Sequence, residues 1–230
     1  MSEARLQAEP VDALFCIAIV SELAPMLGLL HQIRLRSHRL CVGRLANRRV
    51  AVLRCGVGPA AAGRRTAAAL KQLRPRSVWS IGSCGAITDE LELGEVVTSR
   101  SVLSPDGRAW PAHPVPTLPS VVVQTVEQPV FTEAHRARVA SSGAAICEME
   151  ASAVLQAVND RCPVHLVKVV SDRAGGEPDP ALLIGSTRAK VRFHQRVERL
   201  MRAFVMPRLV HQLQATLARS AQDASAPTMG

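Results

Sequence analysis

Short unbroken apolar runs recur along the chain, each followed by a Gly-rich or polar stretch and then an apolar stripe at helical spacing. Runs of this kind suit strands covered on both faces. Asp12–Val20 predicts the first strand, and Leu23–Ile33 a helix with Ser21 as N-cap and Pro25 in its first turn. Arg39–Gly43 and Arg49–Cys55 predict two strands turning near Asn47 and Arg48. Gly56-Val57-Gly58-Pro59 then leads into an Ala-rich helix, Ala60–Leu73, closed by Arg74-Pro75. Ser77–Ile81 predicts a short buried strand ending in a turn at Gly82-Ser83-Cys84-Gly85.

Glu95–Val102 and Ser120–Val126 predict further strands, separated by a loop, Ser104–Pro119, that holds five prolines. Thr132–Ser142 reads as a short helix, Ala144–Cys147 as an apolar strand, Ala151–Asn159 as a helix and Val164–Val170 as a strand. A turn-rich loop, Gly175–Pro180, precedes a long helix, Ser186–Leu217, which Pro207 should kink or divide. Strands alternating with helices argue an α/β fold: a three-layer α/β/α sandwich around a mixed central sheet. One domain is expected over residues 11–217, with flexible termini at 1–10 and 218–230.

Composition narrows the class. Of 230 residues, 47% are hydrophobic and 20% charged, which excludes wholesale disorder. No apolar run approaches the ~20 residues of a membrane span. Met1–Pro10 is polar, without a secretory signal, and six Cys lack C-x-x-C spacing, so a reducing cytoplasm is expected. The net charge of +9 raises the question of nucleic acid, but aromatics are 3% and the Arg residues are spread from Arg5 to Arg219. Single-strand binding needs stacking aromatics, so nucleic acid is not the expected partner.

In open α/β sheets ligands gather beyond the carboxyl ends of the strands. Glu22, Gly56-Val57-Gly58, Gly82–Gly85, Glu150 and Asp172 all fall there. Each also has a plain reading: a helix first-turn acid, a tight turn, a Gly-rich bend, an acid pair at a helix start, a loop cap. Glu148 and Glu150 stand two apart where a helix begins, so only one is expected to enter the cleft. Asp172 at a Gly-rich strand end is a candidate acid with a raised pKa. Cys84 has no evident His partner, and none of the seven His residues has a metal-spaced partner. His31, His135, His194 and His211 are expected on helices with solvent-facing neighbours.

Taken together, these segments resemble the nucleoside phosphorylase and nucleosidase superfamily, and within it the 5′-methylthioadenosine/S-adenosylhomocysteine nucleosidases. Ile146–Ala153 (ICEMEASA) is similar to the E-M-E-A-x-A segment of that family, Val167–Ala174 (VKVVSDRA) to its S-D-x-A strand, and Ala18–Met26 (AIVSELAPM) to its opening segment. Ser80–Ala86 (SIGSCGA) resembles the family's Gly-rich turn, and Cys55–Gly58 its G-I-G-K turn.

The resemblance implies a purine/uridine phosphorylase-like fold and cleavage of the N-glycosidic bond of a purine nucleoside. Asp172 would assist the departing purine at N7, Glu150 would hold the ribose hydroxyls, and Glu22 would activate water. Met149, Ser83, Val130, Ser171 and Gly58 would complete the substrate site. It also implies a homo-oligomer, a dimer or larger, and a small-molecule nucleoside as partner. No metal or cofactor is implied, apart from phosphate as co-substrate if the enzyme is a phosphorylase.

The chain departs from the family in a shorter stretch between Val102 and Ser120, in Pro129 where a Phe is usual, and in Ser80 where hexameric phosphorylases carry a phosphate-binding Arg. Water is therefore the favoured acceptor, with Arg54 and Arg64 as the cations that could replace the missing charge. The alternatives are phosphorolysis, by a nucleoside or hopanoid-associated phosphorylase-like enzyme, and a non-catalytic nucleoside-binding module.

Overall fold

The first apolar run folds as β2 (Ala13–Ile17), a strand with every residue buried, after a short β1 (Glu9–Val11). The computed structural model describes residues 8–175 and 187–212. Next come α1 (Val20–Leu27), β3 (His31–Leu35), β4 (Leu40–Leu45), β5 (Arg48–Arg54), α2 (Pro59–Gln72) and β6 (Leu73–Pro75). The chain continues through β7 (Val78–Ala86), β8 (Val96–Leu103), β9 (Ala109–Pro111), β10 (Ser120–Thr125) and α3 (Glu133–Ala140). It then forms β11 (Ile146–Glu148), α4 (Ala151–Val158), β12 (Val164–Arg173) and α5 (Thr187–Leu200).

One mixed sheet runs in the order β11-β10-β8-β12-β7-β2-β5-β4-β3, with β9 on β8. β5, β2, β7 and β12 are mutually parallel neighbours, so their carboxyl ends share one edge of the sheet. β11 pairs both with β10 and, through Ile146 opposite Ala86 and Cys147 opposite Gly85, with β7. This double pairing closes β7, β12, β8, β10 and β11 into a ring. Alternation along the strands splits the core in two. Leu14, Cys16, Leu53 and Cys55 pack toward Ala62 of α2 and Val154 of α4. Phe15, Ile17, Val52 and Trp79 pack toward Met26 of α1 and Val197 of α5. The three-layer α/β/α arrangement follows from these two apolar faces.

Several elements differ from the sequence reading. The helix expected over Leu23–Ile33 begins at Val20 and ends at Leu27. Its N-cap is Ile19, not Ser21, because Glu22 at the third helical position accepts from the Ile19 amide at 3.3 Å. His31–Leu35 is an edge strand exposed at all five residues, so no burial pattern marks it and His31 is not helical. Gly82–Gly85 is no turn: β7 runs straight through it, paired along this stretch with β12 and, at Gly85, with β11. Leu73–Pro75 does not merely close α2; it pairs with Glu9–Val11, which takes residues 9 and 10 out of the expected flexible terminus.

The proline-rich loop contains β9, hydrogen-bonded to β8. β12 runs on past Val170 to Arg173, with a register shift between Val170 and Asp172. Pro207 neither breaks nor divides the last helix. A π-helical turn, Met201–Val205, widens the spiral just before it, and helix resumes over 206–212. Residues 218–230 and the predicted loop beyond Gly175 lie outside the described residues. No helix among the described residues is long and apolar enough to cross a membrane.

Candidate active site

Three carboxylates meet near the carboxyl ends of the parallel strands: Glu22 and Asp172 come from β2 and β12, and Glu150 follows β11, which is antiparallel to β7, and reaches Gly58 beyond β5. Glu22 follows β2 in the first turn of α1 and is only 4% exposed. Its Oε1 accepts from the Ser83 amide at 2.8 Å and from Ser83 Oγ at 2.8 Å. The carboxylate lies flat against Gly82: a Cβ there would stand 2.9 Å from Glu22 Oε1. The glycine in a central strand is thus explained by close approach and not by a turn.

Glu150 is the N-cap residue of α4, and its side chain makes no capping hydrogen bond to the helix. It is buried, and its Oε1 accepts from the Gly58 amide at 3.0 Å. Burial first, and then the charge of Glu148, push the Glu150 carboxyl from 4.5 up to about 7, against the opposing pull of Lys168 and the Gly58 hydrogen bond. Of the two acids in Glu148-Met149-Glu150, Glu150 is the one that reaches the Gly58 turn.

Glu148 turns the other way. Its side chain forms an ion pair with Lys168 Nζ at 3.0 Å, with both side chains almost fully buried. It also accepts from Thr125 Oγ1 at 2.6 Å and from the amides of Glu150 and Ala151. Burial alone would lower the Lys168 ammonium, but Glu148 and Glu150 outweigh it and hold the ammonium raised. Lys168 was missed in the sequence. The available signal was a lone Lys inside the apolar strand Val164–Val170, which a chain can bury only with a counter-charge in reach.

Asp172 sits at the end of β12 with Oδ1 at 2.6 Å from Ser171 Oγ. Burial raises its carboxyl, opposed by the Ser171 hydrogen bond and the charge of Arg196. Ser171 Oγ also reaches the Cys84 carbonyl at 3.2 Å. A hydroxyl has one proton. When Asp172 is ionised, Ser171 donates to it; when Asp172 is protonated, it can donate to Ser171, which turns to Cys84. Ser171 thus accommodates both charge states.

The remaining expected residues are placed as follows. Met149 is partly buried against a small cluster that includes Val130, Cys147 and Ala174. Val130 is buried, and its carbonyl already accepts from the Gly175 amide at 2.9 Å, so that oxygen is engaged within the fold. Cys84 is buried and its thiol is pushed well up, chiefly by burial, which makes it inert as a nucleophile. His194 is exposed on α5, as expected, and also shares a hydrogen bond with Ser21 Oγ at 2.9 Å.

The sequence model of the phosphorylase superfamily matches residues 17–121, a little under half of the chain. A 5′-methylthioadenosine/S-adenosylhomocysteine nucleosidase of Staphylococcus aureus (strain MRSA252) is 26% identical over 204 residues, 75% of this chain and 90% of the relative. The structure of such a nucleosidase from Colwellia psychrerythraea 34H, in complex with adenine, superposes with a TM-score of 0.73 at 19% identity, over 90% of this chain and 97% of that one. A futalosine hydrolase mutant of Helicobacter pylori strain 26695 gives 0.68 at 14% identity, over 86% and 99%. The structural matches share the fold.

Proposed function

We propose that this protein hydrolyses the N-glycosidic bond of a purine nucleoside. The observation that carries the reading is the convergence of Glu22, Glu150 and Asp172 on one sheet edge, with Glu22 oriented by Ser83 and not by a cation. The bond from C1′ to N9 stretches until the sugar carries positive charge. Asp172 protonates or hydrogen-bonds purine N7, so the electron pair departs onto a neutral base. The Glu150 carboxylate holds the ribose hydroxyls and stabilises the cation. Glu22 takes a proton from water as the water oxygen bonds to C1′. Leaving-group protonation and electrostatic stabilisation supply the rate. Met149 packs beside the sugar, and Ser83, Ser171 and Gly58 orient the three acids.

Water is favoured over phosphate by charge. The buried acids at this edge are Glu22, Glu148 and Glu150, and the one buried Lys among the described residues is already paired with Glu148. A phosphate dianion arriving beside Glu22 and Glu150 meets like charges, whereas water meets a base. In phosphate-free buffer the protein should release free base and free sugar from purine nucleosides. Phosphate should add little, and Glu22→Ala should lose about 10²-fold in turnover. Accumulation of a sugar 1-phosphate, with turnover that vanishes without phosphate, is the result that would overturn hydrolysis.

Glu150 gives a second test through pH. It must be ionised to accept two hydroxyl protons and to face a cation, so kcat/KM should rise with pH through about 7. Glu150→Gln should flatten that limb and discriminate less between ribosides and 2′-deoxyribosides. A raised carboxyl is also a stability statement: its contribution is fully present below 4.5 and is lost as pH climbs through about 7. A wild-type profile flat from pH 5 to 8 counts against the assignment.

A further inference from the structure

Three guanidinium groups gather beside the site with no acid among them. Arg54 ends β5, and its amide donates to the Arg39 carbonyl at 2.8 Å across the strand pair. Arg65 reaches back from α2 and donates Nη1 to the Cys55 carbonyl at 2.7 Å. It crosses the backbone where only glycine fits: a Cβ on Gly56 would stand 1.8 Å from Arg65 Nη1, and φ there is +79°. All three arginines are half-buried.

Two acids elsewhere each neutralise a pair of arginines. Glu9 bridges Arg36 and Arg49, and Asp89 bridges Arg136 and Arg173. None of Arg39, Arg54 and Arg65 forms an ion pair among the described residues. Arg54 Nε is buried and has no hydrogen-bond partner. Partial burial, then the charges of Arg65 and Arg54, push the Arg39 guanidinium down. Three half-buried like charges with an orphaned donor have the make-up of a site awaiting an anion.

Its position says which anion. β5 and β12 are separated in the sheet by β2 and β7. That is three strand spacings, about 14 Å, from Arg54 to Asp172 along the carboxyl edge. Glu150 lies between them, bonded to Gly58, four residues beyond Arg54. With the base at Asp172 and the ribose at Glu150, the arginines receive whatever projects from the far end of the sugar. We propose that the substrate is a purine nucleoside whose 5′ substituent carries a carboxylate or phosphate, held by Arg39, Arg54 and Arg65. This rests on the nucleosidase reading above. The guanidinium fork suits bidentate contact with either acid.

The test compares two substrates: methylthioadenosine, neutral at its 5′ end, and adenosine 5′-monophosphate, a dianion there. Wild type should favour the monophosphate in kcat/KM. Arg54→Gln should lose about 30-fold on the monophosphate, and at least about tenfold less than that on methylthioadenosine, as expected for a charge-assisted hydrogen bond. Arg54→Lys should recover part of the loss. Equal losses on both substrates, or a wild-type preference for the neutral one, overturn the proposal while leaving the nucleosidase reading intact.

If wild type cleaves neither, that reading fails, and calorimetric titration of adenosine 5′-monophosphate into wild type and Arg54→Gln still decides the anion site. Binding weakened by the substitution supports it, and no binding to wild type overturns it. Inorganic phosphate is the remaining arm. Phosphate-dependent cleavage of methylthioadenosine that Arg54→Gln abolishes would assign the arginines to an acceptor phosphate instead.

Discussion

Replacing Asp172 with Asn is expected to lower kcat on a natural purine nucleoside by about 10³-fold while changing KM little. Asn keeps the shape and can still donate a hydrogen bond to purine N7, so ground-state binding survives. It cannot transfer a proton, and a purine leaves poorly as an anion. Burial raises the Asp172 carboxyl, which favours its protonated form. Ser171 at 2.6 Å partners either charge state. The fall in wild-type turnover that accompanies loss of the Asp172 proton should be missing in Asp172→Asn. The loss should shrink on a nitrophenyl riboside, whose leaving group needs no proton. Equal turnover of the Asn variant and wild type on a natural nucleoside would remove Asp172 from the mechanism.

What could be read from the chain was what burial writes into it. β2, β5 and β12 are apolar runs because both their faces are covered, so the strands and the mixed-sheet class showed in the sequence. The acids at their carboxyl ends showed too, since an acid next to an apolar run is conspicuous. Features set by partners did not show. β3 is exposed along its whole length and carries no pattern. Gly82 and Gly85 suggested a turn because glycine's usual role is conformational. In β7 they make room for Glu22 Oε1 and Asp172 Oδ2, which are distant in sequence. Arg39 lies in the bend before β4, Arg54 on β5 and Arg65 on α2, and only the fold brings them together. Lys168 was visible as an anomaly, but its partner Glu148 comes from the segment that was read for Glu150 alone.

That pair yields the largest expected effect on stability. Lys168 Nζ and Glu148 Oε2 meet at 3.0 Å with side-chain exposures of 2% and 1%. Removing one member strands the other charge in the interior. Lys168→Met should therefore cost about 3–5 kcal/mol, read as a fall in Tm or in the denaturant midpoint. The cost is not that of losing an attraction alone, because Lys168 also offsets the repulsion between Glu148 and Glu150. Two consequences separate this account from simple loss of packing. First, without Lys168 the acids are driven to keep protons on folding, so the variant should be less destabilised at pH 5 than at pH 8. In addition, the Glu150 limb of the pH–rate profile should move above its wild-type position near 7. Second, the partner change must preserve the acceptor. Glu148 takes hydrogen bonds from Thr125 Oγ1 and from the amides of Glu150 and Ala151, so Glu148→Met would leave buried donors unpaired. Glu148→Gln keeps an oxygen for those donors and removes the charge. The double variant Lys168→Met with Glu148→Gln should regain most of the stability lost by Lys168→Met. If the double variant is no more stable than the single one, the loss is packing and not a stranded charge.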